Sequence, residues 1–400
     1  MPVVVFVLAA AVFAQGTSEF MVSGLLEQIA QDVGVSLGTA GLLTSLFAVG
    51  MVLGAPVMAV TASRVPIRYS VTLCSALFCA AHVLGAATGE FAVLLVSRLL
   101  AAVADAGFLA LTLAALPRLV GTALIGRATS LVVSGVTVAC IAGVPAGTLL
   151  GQIYGWRSAF WAVAVLSAVV AVPVWVMLGD VRDPAVAGGP ASPIRREWPV
   201  LGQPVVRTAV IAAILVNAAT FAGFTYLGTV TAEVTDDGRW VALALALFGV
   251  GSFAGVTIAG RYSDRHHRRI TLAGTVVLIG VWLLAAVTAQ AMVAVMVMSA
   301  VAGAVAFGVG STLIATIVRT AAPIAPRIAG ALSTTAFNIG AVLGPATAGR
   351  IVDHTGHPAA AWWCGAVFAT AAAGVLAFRG RVRREHHSAA TDSNSRDSVR

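Results

Sequence analysis

The sequence contains no lysine and little charge of either sign. Charged residues make up 10% of the 400 residues, against about 25% in an ordinary soluble domain, while 59% of the residues are hydrophobic. This composition excludes a water-soluble enzyme. Because the phosphate-binding loop G-x-x-x-x-G-K-[ST] needs a lysine, its absence also excludes an ATP-driven pump.

Cysteine is scarce as well. Each of the four cysteines lies inside an apolar run without C-x-x-C spacing, which predicts small buried side chains and neither a disulfide framework nor a metal site: Cys74, Cys79, Cys140 and Cys364. The net charge of +8 comes from 24 arginines scattered between apolar blocks. No basic patch interleaved with aromatic residues occurs, so we expect no nucleic-acid partner, and no cofactor either.

Long apolar blocks dominate what is present. Since a helical span needs roughly 20 apolar residues, polar and turn-forming residues divide the chain into twelve predicted transmembrane helices. Their approximate positions are 4–30, 40–62, 70–89, 91–117, 128–152, 158–178, 207–230, 239–261, 270–289, 291–317, 329–350 and 360–378. The predicted fold is therefore an all-α polytopic membrane protein.

Composition shifts divide this array into domains. Residues 180–206 hold several prolines, glycines and charges and cannot cross a bilayer, so they predict a cytoplasmic linker between six-helix bundles at 1–179 and 207–378. Residues 379–400 contain too few apolar side chains to pack and predict a disordered basic tail. With an inside N-terminus, 20 of the 24 arginines lie on the cytoplasmic side. The positive-inside rule thus predicts a cell-membrane protein with both termini cytoplasmic.

An internal repeat supports the two bundles. A block containing Leu46, Phe47 and Gly50 recurs 201 residues later, and the same offset maps Arg64 onto Arg265 and Arg68 onto Arg269. Small residues recur by chance in membrane proteins, but a fixed offset that includes two loop arginines favours duplication. Two parallel six-helix bundles around a central cavity are typical of secondary transporters.

The loop expected after the eighth helix carries a recognisable motif. Residues 260–269 resemble the G-x-x-x-D-R-x-G-R-[RK] signature of the major facilitator superfamily, with matches at Gly260, Asp264, Arg265, Arg268 and Arg269. The first-half copy keeps Arg64 and Arg68 but has Ser63 in place of the acid. The resemblance implies the fold of that superfamily and a latch that biases which side is closed, whereas simple positive-inside anchoring also accounts for Arg268 and Arg269.

The fifth predicted helix carries a second motif. Gly143, Pro145 and Gly147 resemble the Gly/Pro-rich fifth-helix signature of the exporters of this superfamily. Glycines four residues apart allow close helix approach, and the proline removes one backbone hydrogen bond, so the helix can bend. Such faces are common in helix bundles, so the motif alone indicates packing; within this repeat architecture it favours export over uptake.

Three ionisable residues lie inside apolar spans: Glu19, Arg98 and Asp105. Each costs about 2.5–3.5 kcal/mol near a helix centre, so we expect them to face the bundle interior. Burial favours a neutral carboxylic acid and a neighbouring arginine favours the carboxylate, which suggests that Glu19 exchanges a proton under the influence of Arg98. A static, charge-neutral cluster is the alternative. His82, also in an apolar run, is expected to be a packing residue rather than a proton relay.

The cavity wall is predicted from aromatic and amide residues within the spans: Phe20, Asn217, Phe221, Phe224, Tyr226 and Asn338. The segment Phe13–Met21, with Ala40–Thr44 and Ala106–Ala110, makes residues 1–378 resemble the actinobacterial chloramphenicol-resistance exporters among the twelve-helix drug:proton antiporters. That resemblance implies a monomeric carrier that exports chloramphenicol or a similar amphiphile and takes up protons. Sugar efflux is the alternative, and a nontransporting membrane sensor or scaffold is the rival from another class.

Overall fold

The computed structural model is almost entirely helical in the part of the chain that it describes, which is 1–61, 66–120, 124–178, 198–235, 237–325 and 329–397. Side chains are described over the same ranges except 55–61, 118, 198, 264–265 and 379–397. The helices are α1 (Val3–Val33), α2 (Leu37–Thr61), α3 (Ile67–Ala87), α4 (Phe91–Val120), α5 (Ile125–Tyr154), α6 (Trp156–Leu178), α7 (Pro204–Val234), α8 (Gly238–Ser263), α9 (His266–Val287), α10 (Met292–Ala321), α11 (Ala329–Thr355) and α12 (Ala360–Asp397).

Eleven of these helices, within the described ranges, are long and apolar enough to cross a membrane. The remaining one, α11, is 27 residues long but rich in glycine, threonine and alanine, and it packs between α2 and α7. Small residues serve this inner position because they let neighbouring backbones approach closely. The predicted fold class, an all-α polytopic membrane protein, is confirmed.

The predicted boundaries differ from the structure in three places. The expected loop at 262–269 is helical apart from a kink at His266, so α8 and α9 are nearly continuous. The linker lies partly outside the described residues, and α7 begins at Pro204, where a proline suits the first turn of a helix. The backbone is helical as far as Asp397, in contrast to the predicted disordered tail, because alanine, arginine and glutamate extend a helix already begun in the bilayer.

The internal repeat has a counterpart in the helix packing. In α2, a Cβ placed on Gly50 would lie 2.7 Å from the carbonyl oxygen of Leu99 in α4. In α8, a Cβ on Gly251 would overlap the carbonyl oxygen of Ala300 in α10. Both glycines and both carbonyls are separated by the same 201 residues, so the repeat preserves a specific backbone contact.

One turn further along, the same pairing recurs. A Cβ on Gly54 would lie 2.8 Å from the Val103 oxygen, and one on Gly255 would overlap the Ala304 oxygen. These four positions again keep the offset of 201 residues. Each half is therefore held together by two close glycine contacts at equivalent places. The exact limits of the two domains stay a prediction.

The two halves meet along a seam formed by three helix pairs: α1 with α7, α2 with α11, and α5 with α8. We call the side of the bundle that holds the start of α1 and the end of the apolar part of α12 the terminal side, and the other face the opposite side. The functional side chains lie beside this seam, about halfway along the helices.

Candidate functional site

A directed chain of hydrogen bonds surrounds the buried arginine. The two terminal nitrogens of Arg98 donate to Ser18, one to its Oγ at 2.8 Å and the other to its carbonyl oxygen at 3.1 Å. The Nδ1 of His82 lies 2.7 Å from the carbonyl oxygen of Phe78, which only accepts, so Nδ1 carries the proton. The Ser18 hydroxyl therefore donates to Nε2 of His82 at 2.5 Å. This chain fixes the guanidinium at 4.2 Å from the ring centre of Phe47.

The two embedded acids lie close enough to Arg98 and to each other to interact electrostatically. Asp105 is 5% exposed, and Glu19 is half-buried. In the part of the chain that the structure describes, neither carboxylate forms a hydrogen bond or an ion pair, and Arg98 donates instead to Ser18. The structure thus brings the three predicted residues together without direct pairing, and leaves both carboxylates available to other partners.

A narrow apolar cavity of about 10 Å³ lies at the seam beside Glu19. Three of the residues predicted for the cavity wall meet there: the ring centre of Phe20 lies 5.8 Å from that of Phe224 and 6.1 Å from that of Phe221. Phe224 also stacks on Phe248 at 4.8 Å. The complete lining is Phe20, Cys140, Val144, Thr220, Phe221, Phe224, Leu245, Phe248, Gly249 and Phe307. Both halves contribute, so the cavity changes shape whenever the halves move.

The other predicted wall residues lie elsewhere. Asn217 donates to the carbonyl oxygen of Phe337 at 2.6 Å and so links α7 to α11. Asn338 donates to its own helix at Thr334. Tyr226 is fully buried away from the cavity. Both amides donate to backbone carbonyls of α11, a role that residue type alone does not distinguish from ligand binding.

Tyr226 instead fills a gap between two helices near the opposite side. Its hydroxyl donates to the carbonyl oxygen of Pro345 at 3.4 Å. A Cβ on Gly41 of α2 would overlap this hydroxyl, and one on Gly349 of α11 would lie 2.6 Å from it. The Tyr226 side chain therefore lies between glycines of both halves and closes the seam at this level.

A polar clasp closes the seam further toward the opposite side. The carboxylate of Asp353, on α11, accepts from the hydroxyl of Ser36 and from the backbone N–H of Gly38, each at 2.7 Å. Deeper in the seam, the hydroxyl of Ser45 donates to the Val342 carbonyl at 3.0 Å. These bonds join the two halves on the opposite side.

The exporter-like motif of α5 forms a packing surface and a wide turn. A π-helical turn spans Ala139–Gly143 immediately before Pro145, which lacks the N–H needed to continue the regular pattern. A Cβ on Gly143 would overlap Thr17 of α1, and one on Gly249 of α8 would overlap the Cys140 carbonyl. The predicted close approach at Gly143 is thus present, whereas Gly147 lies at ordinary contact distance from Met21.

The residues of the loop motif lie on the terminal side, away from the cavity. The guanidinium of Arg68 stacks 3.8 Å from the ring centre of Trp175, and Gly260, Arg268 and Arg269 are exposed. Arg64 lies outside the described residues, as do the side chains of Asp264 and Arg265. The predicted latch therefore stays a prediction.

Three functional positions were not predicted from the sequence: Ser18, which bridges Arg98 and His82, and Phe248 and Phe307 in the cavity wall. The repeat carried a signal for one of them, because Phe248 is the equivalent of Phe47, the ring under Arg98. His82, predicted to be a hydrogen-bonded packing residue, lies between the rings of Phe78 and Phe160 and does make two hydrogen bonds.

Comparison with known proteins agrees with this architecture. The family model described as Major Facilitator Superfamily matches residues 8–324 and 237–398. A chloramphenicol resistance protein of Streptomyces lividans is 45% identical over 383 residues, which cover 95% of this chain and 97% of that protein. The inner membrane transport protein YdhP of Escherichia coli K12 is 32% identical over 348 residues, or 86% and 88% of the two chains.

A solved structure shares the fold at low sequence identity. The bacterial homolog of the human lysosomal transporter Spinster, in its inward-facing and occupied conformation, aligns with a TM-score of 0.76 and 18% identity. The alignment covers 94% of this chain and 96% of that one.

Proposed function

This chain belongs to the major facilitator superfamily, and we propose that it exports chloramphenicol or a similar small amphiphile from the cell in exchange for protons. It acts as a monomer in the cell membrane, with both termini in the cytoplasm, so that the terminal side faces the cytoplasm. The observation that carries the proposal is the aromatic cavity at the seam, which lies beside the Glu19 carboxylate, a group that forms no hydrogen bond or ion pair within the described residues. The identity to the chloramphenicol resistance protein supports the choice of substrate.

The cavity suits an aromatic, mostly neutral compound. Its wall consists of phenylalanine rings and aliphatic side chains, with Thr220 as the one hydroxyl. Aromatic rings in this arrangement bind another ring by edge contacts and stacking, which contribute about 0.5–1.5 kcal/mol per pair beyond burial of area. A sugar would leave its hydroxyl groups unpaired among these rings, at a cost of about 1–3 kcal/mol for each buried group. The cavity therefore favours drug export over sugar export.

Proton exchange is assigned to Glu19. It follows the bridging Ser18 and precedes Phe20 of the cavity wall, and it interacts electrostatically with Arg98 and with Cys140 of that wall. Arg98 is held by Ser18 and stabilises the carboxylate at a distance, without an ion pair that would have to break. Asp105 opposes a second negative charge through repulsion. Binding of an amphiphile next to Glu19 removes water from the carboxylate and changes its proton affinity.

Alternating access follows from the seam. The halves are joined by the clasp of Asp353 and by Tyr226 on the opposite side, so this arrangement corresponds to a carrier that is closed to the outside. Substrate enters from the cytoplasm, and the protonation of Glu19 then changes. The seam then opens outward as the two halves, each held rigid by its glycine contacts, rotate about the cavity.

The experiment is expression in a bacterial host that lacks its own drug pumps, followed by reconstitution into proteoliposomes. We expect resistance to chloramphenicol and a proton flux, reported by a pH-sensitive dye, that starts when chloramphenicol is added. Proton flux driven by arabinose but not by chloramphenicol would favour the sugar exporter. Absence of any substrate-dependent flux would favour the sensor or scaffold.

A further inference from the structure

A second cavity lies at the seam on the opposite side, and its walls are polar. Its volume is about 290 Å³, and it is lined by Ser23, Gly24, Leu26, Glu27, Gln28, Gln31, Gln152, Gly228, Thr229, Ala232, Thr235, Gly238 and Val241. Three glutamines, three hydroxyls and one carboxylate make this lining unlike the phenylalanine-rich cavity. The lining residues come from both halves, as in the central cavity.

The two cavities are stacked along the same helices. Phe20 and Gly24 on α1, and Phe224 and Gly228 on α7, are each four residues apart, with the first of each pair in the aromatic cavity and the second in the polar one. On α8, Leu245 of the aromatic cavity lies four residues from Val241 of the polar cavity. Four residues of helix span about 6 Å, so a molecule of drug size reaches from one cavity into the other.

A tight contact separates the two cavities. A Cβ on Gly228 would overlap the carbonyl oxygen of Ser23, and one on Gly24 would overlap Thr148 and lie 2.7 Å from Leu245. The glycines let the backbones of α1 and α7 touch between the two cavities. Any relative movement of the halves that separates these two backbones joins the cavities.

The polar cavity contains hydrogen-bonding atoms that the protein does not satisfy. Thr229 is only 4% exposed, and its hydroxyl forms no hydrogen bond within the described residues. Gln28 donates to the Oε1 of Gln152 at 2.9 Å, but its own buried Oε1 has no partner. A buried polar atom without a partner is costly, so these atoms favour a ligand that offers both a donor and an acceptor.

We propose that this polar cavity is a release subsite, which binds the hydroxyl- and amide-bearing end of the exported compound before the compound leaves on the opposite side. The inference rests on the proposed function and adds a second position on the exit path. The ring of the amphiphile stays among the phenylalanines while its polar end passes the glycine contact. A ligand hydroxyl donates to Gln28 Oε1 and accepts from the hydroxyl of Thr229. The acidic Glu27 at this site disfavours anionic compounds.

The test compares the two sides of the carrier. Inside-out and right-side-out vesicles containing the full-length protein are loaded with unlabelled chloramphenicol, and the half-saturating concentration for counterflow of labelled chloramphenicol is measured from each side. In Thr229→Val, which keeps the shape but removes the hydroxyl, we expect this concentration to rise about tenfold from the opposite side and to change less than twofold from the terminal side. Thr229→Ser is expected to restore the original value.

Three controls make the outcome decisive. Thr288→Val removes a hydroxyl that bonds only to its own helix on the opposite side, and no change is expected. Gln152→Leu, on a different helix, is expected to repeat the one-sided effect of Thr229→Val. A chloramphenicol analogue in which both hydroxyl groups are replaced by hydrogen is expected to respond equally in the original protein and in Thr229→Val.

Equal changes on both sides, or no change on either, would overturn the release subsite and show a water-filled vestibule without ligand contacts. A lack of counterflow in the original protein would overturn the proposed function together with the subsite. The two failures are therefore distinguishable by the behaviour of the unaltered chain.

Discussion

The hydroxyl of Ser18 bonds Nε2 of His82 at 2.5 Å, and this contact sets the position of Arg98, which is buried in the apolar core of the first half. Because His82 is fixed by the Phe78 carbonyl, Ser18 has a fixed donor direction, and its remaining lone pair receives Arg98. The guanidinium is thereby kept from a direct ion pair with either acid. A carrier needs this separation, since a strong pair would make proton exchange slow.

Removal of this bridge is expected to destabilise the protein. Ser18→Ala leaves His82 Nε2 and one Arg98 nitrogen buried without a partner, so the free energy of unfolding should fall by about 1–3 kcal/mol. Ser134→Ala is the matched control, because that hydroxyl bonds only to its own helix at Leu131. Thermal unfolding in detergent measures both. Equal unfolding temperatures for the two variants would show that the bridge contributes no stability.

Neutralisation of the carboxylate beside the cavity is expected to abolish coupling. Glu19→Gln keeps the shape but cannot exchange a proton, so chloramphenicol-dependent proton flux should fall at least about tenfold, as for loss of an essential proton-transfer group. Glu90→Gln removes an exposed acid in the loop between α3 and α4 and should leave the flux unchanged. Undiminished flux in Glu19→Gln would show that Asp105 exchanges the proton, or that no residue of this cluster does.

A change in the aromatic wall is expected to weaken substrate binding. Phe224 contacts three other rings, so Phe224→Leu keeps most of the volume but loses these ring contacts. The half-saturating chloramphenicol concentration should rise about threefold to tenfold, the equivalent of about 0.5–1.5 kcal/mol. Phe253→Leu alters an exposed ring on α8 and serves as the control. Identical transport curves for both variants would place the substrate elsewhere.

The glycine contacts inside each half give a prediction about stability. Gly251→Ala forces α8 away from the Ala300 carbonyl and should lower the free energy of unfolding by about 1–3 kcal/mol, the usual cost of overpacking. Gly280→Ala meets open space on α9 and should be neutral or stabilising by up to about 1 kcal/mol, because alanine favours a helix. Unfolding temperatures compare the two. A stable Gly251→Ala variant would contradict the contact.

Loss of the polar clasp is expected to open the opposite side. Asp353→Asn leaves the Gly38 N–H and the Ser36 hydroxyl with a weaker acceptor, so the closed population should decrease. Spin labels at Val35 and His357 report the separation of the halves by pulsed electron resonance, and longer distances should become more populated. Asp237→Asn, which loses only an exposed contact with Arg239, is the control. An unchanged distance distribution would show that Tyr226 closes the seam without the clasp.

Hydropathy and turn residues predicted the helices well, because the cost of exposed backbone in lipid allows few alternatives for a chain of this composition. Three aromatic residues of the cavity, Phe20, Phe221 and Phe224, were also predictable, since they share one level of the first helix in each half. Tyr226 was not, because its position depends on how tightly α2 and α11 approach. Nor was the pairing of Ser18 with His82, which are 64 residues apart and meet only through helix packing.

The matched glycine contacts of the two halves also affect which substitutions slow transport in both directions and which slow it in one. The two halves can rotate against each other efficiently only if each moves as a rigid body. Loss of rigidity in one half would slow the inward and outward transitions to the same degree. A substitution at the contact between the halves, where Gly24 and Gly228 touch, would instead favour one resting conformation. It would slow one transition and speed the other.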